Sequence, residues 1–235
     1  MEAHTKFDIA HAFVATSSDI SKLWDILENA GLTVTATISC TDGLVRHFDN
    51  RELLVQYDNP TRAAISSLEI SAKSRDPYTT AEISLGARYS APISISLRGE
   101  ENTISLMRTY VSDTVDGMRA WYTRLSTIDF FYVWFPIFMV LLMLAQIMSP
   151  SGTPHPAMPL KKALEVLVIS AAAIGGIAAV IWAIAWLRKR FFPVATFAIG
   201  QGHSRHQHNE QIRWVVIVGF VVGVGASIVA TILLA

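Results

Sequence analysis

Two kinds of hydrophobic pattern divide the chain. Over residues 1–125 apolar positions alternate with polar ones or recur at helical spacing; beyond residue 126 they merge into long runs. Leu32, Val34, Ala36, Ile38 and Cys40 alternate with Thr33, Thr35, Thr37 and Ser39, which predicts a strand buried on one face. Ile83, Leu85, Ala87 and Tyr89 alternate with Glu82, Ser84, Gly86 and Arg88; Ile93, Ile95 and Leu97 alternate with Ser94, Ser96 and Arg98. Leu68, Ile70 and Ala72 follow the same rule, and residues 7–14 read as an opening strand. Asp42-Gly43 between apolar runs predicts a hairpin turn.

Helical spacing appears in two stretches of this half. Ile20, Leu23, Trp24 and Leu27 form a stripe over residues 18–30, behind a Ser17/Ser18 cap and closed by Gly31. Ile104, Met107, Val111, Met118 and Tyr122 form a second over residues 101–124, and a short helical turn is expected over residues 50–56 with Asp49 as its cap. Two main helices on the apolar face of an antiparallel sheet make a two-layer α+β domain over residues 1–125, long enough to bury its own core.

The second half, residues 126–235, reads as a transmembrane module. Apolar runs at about 128–148, 163–187 and 212–235 each reach the roughly 20 helical residues that a hydrocarbon core requires, and none has a polar face. Tyr132, Trp134, Trp182, Trp186 and Trp214 lie near their ends, where amphipathic rings favour the headgroup level. Pro136 inside the first run reads as a kink. Short-loop charge sets the orientation: Arg188, Lys189, Arg190, Arg205 and Arg213 between the second and third runs join Arg108, Arg119 and Arg124 on one side, against Lys161 and Lys162 on the other. A cytoplasmic first domain, a cytoplasmic loop at 188–211, a bacterial inner (plasma) membrane and a C-terminus on the opposite side are therefore expected. The opening residues lack an apolar core of signal-peptide length, consistent with that placement.

Small residues repeat along two of the runs. Ala171, Gly175, Ala179 and Ala183 recur every four residues in the second, as do Gly219, Gly223, Ser227 and Thr231 in the third. Residues four apart share a helix face, so each run offers a groove in which another helix backbone can approach closely, a main source of helix association in lipid. The grooves serve either packing of the two runs on each other or contacts between copies of the chain. Gln146 and Ser170 are candidates to line a polar path through an assembly.

Composition narrows the chemistry. Lys plus Arg and Asp plus Glu both number 19, and only 16% of residues are charged, below the roughly 25% of soluble domains. Residues 1–125 hold 12 basic and 16 acidic residues, residues 126–235 hold 7 and 3, so binding of nucleic acid by bulk basicity is not expected. The single cysteine, Cys40, excludes a disulfide framework and fits a reducing compartment. No phosphate-binding glycine loop or nucleophile elbow is present, so the chain is not expected to be an enzyme or to carry a cofactor. His203, His206 and His208 read as a solvated, pH-sensitive stretch rather than a metal site. The hydroxyl-rich sheet face, with Thr33, Thr35, Thr37, Ser96, Arg88 and Arg98, is a candidate face for a nucleotide-type ligand or a protein regulator, or else an ordinary solvated one. The segment FFPVATFAIGQG (residues 191–202) has two readings: a strand or wedge contacting the first domain, or a connecting loop lying on the headgroups.

The strings TDGLVRHFDNRELLVQYDNP (residues 41–60), GMRAWYTRLSTID (residues 117–129) and FFPVATFAIGQG resemble bacterial membrane-anchored families, and together cover about a fifth of the chain. The overall plan, a cytosolic sensing domain joined directly to a small membrane module, is similar to bacterial antiphage membrane effectors. That resemblance implies an oligomeric pore gated by a nucleotide-type or protein signal, with membrane lipid and other copies of the chain as partners. The competing expectation is a non-conducting anchor whose first domain docks a partner protein.

Overall fold

In the computed structural model, residues 2–75, 78–86, 91–127 and 185–234 are described, with positions 135, 139, 143, 175, 176, 178, 179 and 181–183 between them. The chain divides into two compact units, one of Met1–Thr127 with Pro193–Ala235 and the other of Ile128–Phe192. The chain from Pro193 onward thus belongs with the first unit.

The first unit is an α+β domain. Strands β1 (Glu2–Ile9), β3 (Thr33–Cys40), β4 (Val45–Phe48), β5 (Ile65–Lys73), β6 (Thr80–Leu85) and β7 (Ile93–Glu100) form an antiparallel sheet in the order β1-β7-β6-β5-β3-β4. Alternation places Val34, Ala36, Ile38, Leu68, Ile70, Ala72, Ile83, Leu85, Ile93, Ile95 and Leu97 on the inner face, all buried. Helices α1 (Ser17–Asn29) and α3 (Glu101–Gly117) cover that face with Ile20, Leu23, Trp24 and Leu27 from one and Ile104, Met107, Val111 and Val115 from the other. The expected hairpin forms: Asp42 accepts from the Leu44 amide at 2.9 Å, and Gly43 takes the positive φ of 79° that the turn needs. Its second arm, β4, carries no alternation signal strong enough to announce it.

Four expected boundaries change for physical reasons. The opening strand of residues 7–14 is two strands, because the chain breaks after β1 and β2 (Phe13–Thr16) joins a separate two-stranded sheet. Thr16, not Ser17 or Ser18, caps α1, in a reciprocal capping box with Asp19. Asn50, not Asp49, caps the short helix α2 (Arg51–Val55), accepting from the Glu52 amide at 2.7 Å. The strand expected to run to Tyr89 ends at Leu85, since Gly86 turns to φ 83° and a side chain there would meet Ser66 O at 2.7 Å. Residues 87–90 lie outside the described residues.

The helix expected over residues 101–124 stops at Gly117. Met118 O then accepts from the Val14 amide, Ala12 O accepts from Ala120, and Phe13 bridges Arg119 before α4 (Thr123–Thr127) begins. The link out of the domain is thus stitched to β2 rather than continued as one rod.

Beyond residue 193 the chain forms β8 (Ala195–Ala198) and α5 (Gln201–Leu234). Of the three apolar runs, α5 contains the third; most of the first two lies outside the described residues, as do many side chains of the third. Among the described residues no helix is long and apolar enough to cross a membrane.

Candidate coupling junction

Strand β8 lies parallel to β2, with Phe13 opposite Ala195 and Thr16 opposite Ala198. Within the 191–202 segment, Ala195–Ala198 is therefore a strand on the domain, as the first of its two readings has it. Phe197 is buried and packs edge-on against Phe13, ring centroids 5.7 Å apart, and its ring edge also closes over Gly86.

The turn after β8 is held from below by one residue. Asn59 is almost fully buried at a positive φ of 46°, a conformation asparagine tolerates better than most residues. Its side-chain amide donates to Phe197 O at 3.0 Å and Ile199 O at 3.4 Å, while its carbonyl oxygen accepts from the Ile65 amide at 2.9 Å. Its backbone carbonyl accepts from Arg205 Nη2 at 2.6 Å, and Asp58 O accepts from the Gln201 amide at 2.8 Å. One asparagine thus joins strand β5, the β8 turn and the first turns of α5. Gly200 (φ 49°) and Gly202 are required by the fit: a side chain on the first would sit 2.6 Å from Asp58 O, and one on the second would run into Phe197 O and the Asn59 amide.

Higher on α5, charge is buried. Arg213 has a side chain 1% exposed, stacked 4.2 Å above the buried Tyr122 ring and paired with Glu210. Glu210 also accepts from Trp121 Nε1 at 3.0 Å, and Trp121 stacks on Trp214 with centroids 5.6 Å apart. Burial pushes the Tyr122 hydroxyl above its ordinary range, an effect the Arg213 charge partly offsets. Burial also holds His206 below its ordinary value, against the pull of Glu210, whose carboxylate lies 3.9 Å from Nε2. Glu210 lies one turn away on the same helix and moves with Arg213, so the contacts that tie this part of α5 to the domain are those with the Tyr122 ring and Trp121.

The other predicted site residues fall elsewhere. Thr33, Thr35, Thr37, Ser96 and Arg98 do share the open sheet face, as expected, while Arg88 lies outside the described residues. The sheet register adds which of the polar positions are neighbours. Across one row Thr35, Ser71, Glu82, Ser96 and Lys6 are neighbours; across the next, Thr37, Glu69, Ser84, Ser94 and Asp8. Glu69, Glu82 and Asp8 thus sit among the hydroxyls, so the face carries both signs of charge and is no uniform cradle for an anion. Thr37 bonds His47 at 3.0 Å and Thr35 donates to Ser71 O at 3.3 Å.

Gly175, Ala179 and Ala183 are helical and exposed, while Ala171, Gln146 and Ser170 lie outside the described residues. Along α5, Gly219, Gly223, Ser227 and Thr231 occupy one helical stripe, with Gly219 and Gly223 exposed. His203 and His208 are exposed and His206 half-buried, so the three histidines do not share one environment. Among the described residues no group of three or more potential metal ligands is brought together.

The residues that build the junction were mostly hidden from sequence reasoning. From sequence alone Arg213 is only a loop charge and Trp214 only an interface ring, and Asn59 carries no signal beyond the Asn-Pro pair that suggests a turn. No protein-family model, curated protein sequence or solved structure matches this chain.

Proposed function

We propose that the chain is a self-assembling integral membrane protein, a gated channel or membrane-permeabilising effector whose α+β domain controls its apolar helices. The observation that carries this reading is the burial of Arg213 against Tyr122 and Glu210 at the point where the third apolar run begins. A helix clamped there passes any rotation or tilt of the domain into that run, whereas a flexible linker would absorb it. Hydropathy of the three runs supports embedding in a bilayer, and the four-residue ladder of Gly219, Gly223, Ser227 and Thr231 supports helix contacts between copies. Three helices enclose no pore alone, so conduction requires assembly.

Purified full-length chain reconstituted in dye-loaded vesicles tests this directly, with and without a small-molecule extract of bacterial cells. Dye or ion release is expected under at least one condition, together with a homo-oligomeric mass in detergent. Gly223→Leu should reduce both, since its side chain would hold neighbouring backbones apart. Vesicles sealed under every condition overturn the channel reading. A second reading, a membrane anchor that docks a partner protein, is favoured by one feature: β1 lies at the sheet edge with its outer hydrogen-bonding groups facing away from β7. A stoichiometric foreign protein in the purified complex would select it.

A further inference from the structure

The junction contains a histidine, His206, whose surroundings do not accommodate both charge states. His206 lies one turn before Glu210 on α5, with a side chain 18% exposed. Its Nδ1 is buried with no hydrogen-bond partner among the described residues, and its Nε2 faces Glu210 at 3.9 Å. The charged or titratable groups that face it are Glu210, Arg213 and His203 from its own helix; beyond them the turn before α4 supplies Trp121 and Tyr122, which contact Glu210 and Arg213. The only anion in this set is Glu210, which Arg213 and Trp121 already engage.

We propose that protonation of His206 releases β8 and the first turns of α5 from the α+β domain, making the junction a latch that acid opens. The inference rests on the reading of this junction as the coupling element. A proton on His206 places a second cation beside Arg213 with one carboxylate to serve both. It also gives Nδ1 a hydrogen that the buried side cannot receive, and a buried donor left unpaired is costly. Release to water removes both penalties. The sign follows from burial: the docked imidazole is held below the ordinary 6.5 that it regains when undocked. The undocked state therefore binds more protons, docking is fully stable above pH 6.5, and it weakens as the pH falls below that value. His203 and His208 are exposed on the same helix.

The test is amide hydrogen exchange of the full-length chain in detergent, at about pH 7.5 and about pH 5.5, with labelling times scaled to the chemical exchange rate. Peptides covering Phe13–Thr16 and Ala195–Ala198 are expected to exchange several-fold faster at the lower pH, up to about tenfold per pH unit. Sheet peptides of β5 and β6 should not change. His206→Gln should keep the protection at both pH values, and His206→Lys should lose it at both. His203→Gln should behave as wild type. Equal protection of the wild type at both pH values overturns the proposal, as does a His206→Gln chain that keeps the pH response. Loss of protection by His206→Gln at both values would make the imidazole a structural element and overturn it too. Because the readout is local docking, sealed vesicles would leave this result standing, and an unresponsive latch would leave vesicle release standing.

Discussion

The six-stranded sheet and the β2/β8 junction are held together by different physics. Within the sheet, β3 and β4 are joined by a hairpin turn, and β5, β6 and β7 follow one another along the chain. Their inner faces are aliphatic and closed by two amphipathic helices, so the core depends on buried area and on no single polar contact. At the junction, β2 pairs with a strand about 180 residues further on, and the tie is made by one asparagine, one buried arginine and a handful of rings. Loss of one aliphatic contact is spread over many neighbours, whereas loss of one buried polar partner strands the other. The sheet is thus built to persist and the junction to be separable from it.

Arg213 offers the largest separation of the two. Arg213→Ala leaves Glu210 half-buried without its cation and removes the plate that covers the Tyr122 ring. Breaking a buried pair from one side costs about 3 kcal/mol or more. Amide protection across β2 and β8 should collapse while that of β5, β6 and β7 stays unchanged, and a global denaturation midpoint should move little. Equal losses in both regions would show that the junction is part of one cooperative unit with the sheet. Arg213→Lys should rescue only in part, since an ammonium has no flat face to lay on the ring.

Asn59→Ala comes next in size. It removes two donors and one acceptor from a buried site, leaving Phe197 O, Ile199 O and the Ile65 amide to find other partners. About 2 kcal/mol is expected, because a small substitution here admits water to some of those groups. The effect should again appear as faster exchange at Ala195–Ala198, with a smaller change at the start of β5 where Ile65 loses its acceptor. Asn59→Gly should be milder than Asn59→Ala, since glycine adopts the φ of 46° without strain. Equal effects of the two variants would mean that the hydrogen bonds, rather than the backbone conformation, carry all of the cost.

This contrast also explains what could be read from the residues alone. The strands at 33–40, 65–73 and 93–100 announce themselves because a half-buried strand must alternate, and α1 because its stripe repeats at helical spacing. The break at Gly117 was not legible: the stripe continues through Met118 and Tyr122, which are buried, but by β2 and α5 rather than as further turns of α3. A periodicity records that positions are covered, not which element covers them. Asn59, Arg205 and Arg213 act through partners more than 85 residues away in sequence, and nothing local marks such a pairing. FFPVATFAIGQG has a strand as one of its two readings, but a four-residue strand has too few positions to specify its partner. The hydroxyl face is legible as a face, and alternation already places Glu82 on it; which acids stand beside which hydroxyls follows only from register.

That last point gives the smallest expected effect and the sharpest control. Ser96 sits between Glu82 and Lys6 on the open face of the sheet and is half-exposed. Ser96→Ala removes a hydroxyl that water can replace, so stability should change by less than about 0.5 kcal/mol and junction protection not at all. The acids give the variant its further use. If the face bound an anionic ligand through its hydroxyls and Arg98, Glu82→Gln would tighten binding by removing a like charge, and Ser96→Ala would weaken it. If the face is only solvated, both variants should leave vesicle release and its response to extract where the wild type sets them. Thermal unfolding and release measured on the two variants side by side separate these outcomes. A change in release from Ser96→Ala alone, with the sheet and junction intact, would move the search for the activating signal from the junction back to this face.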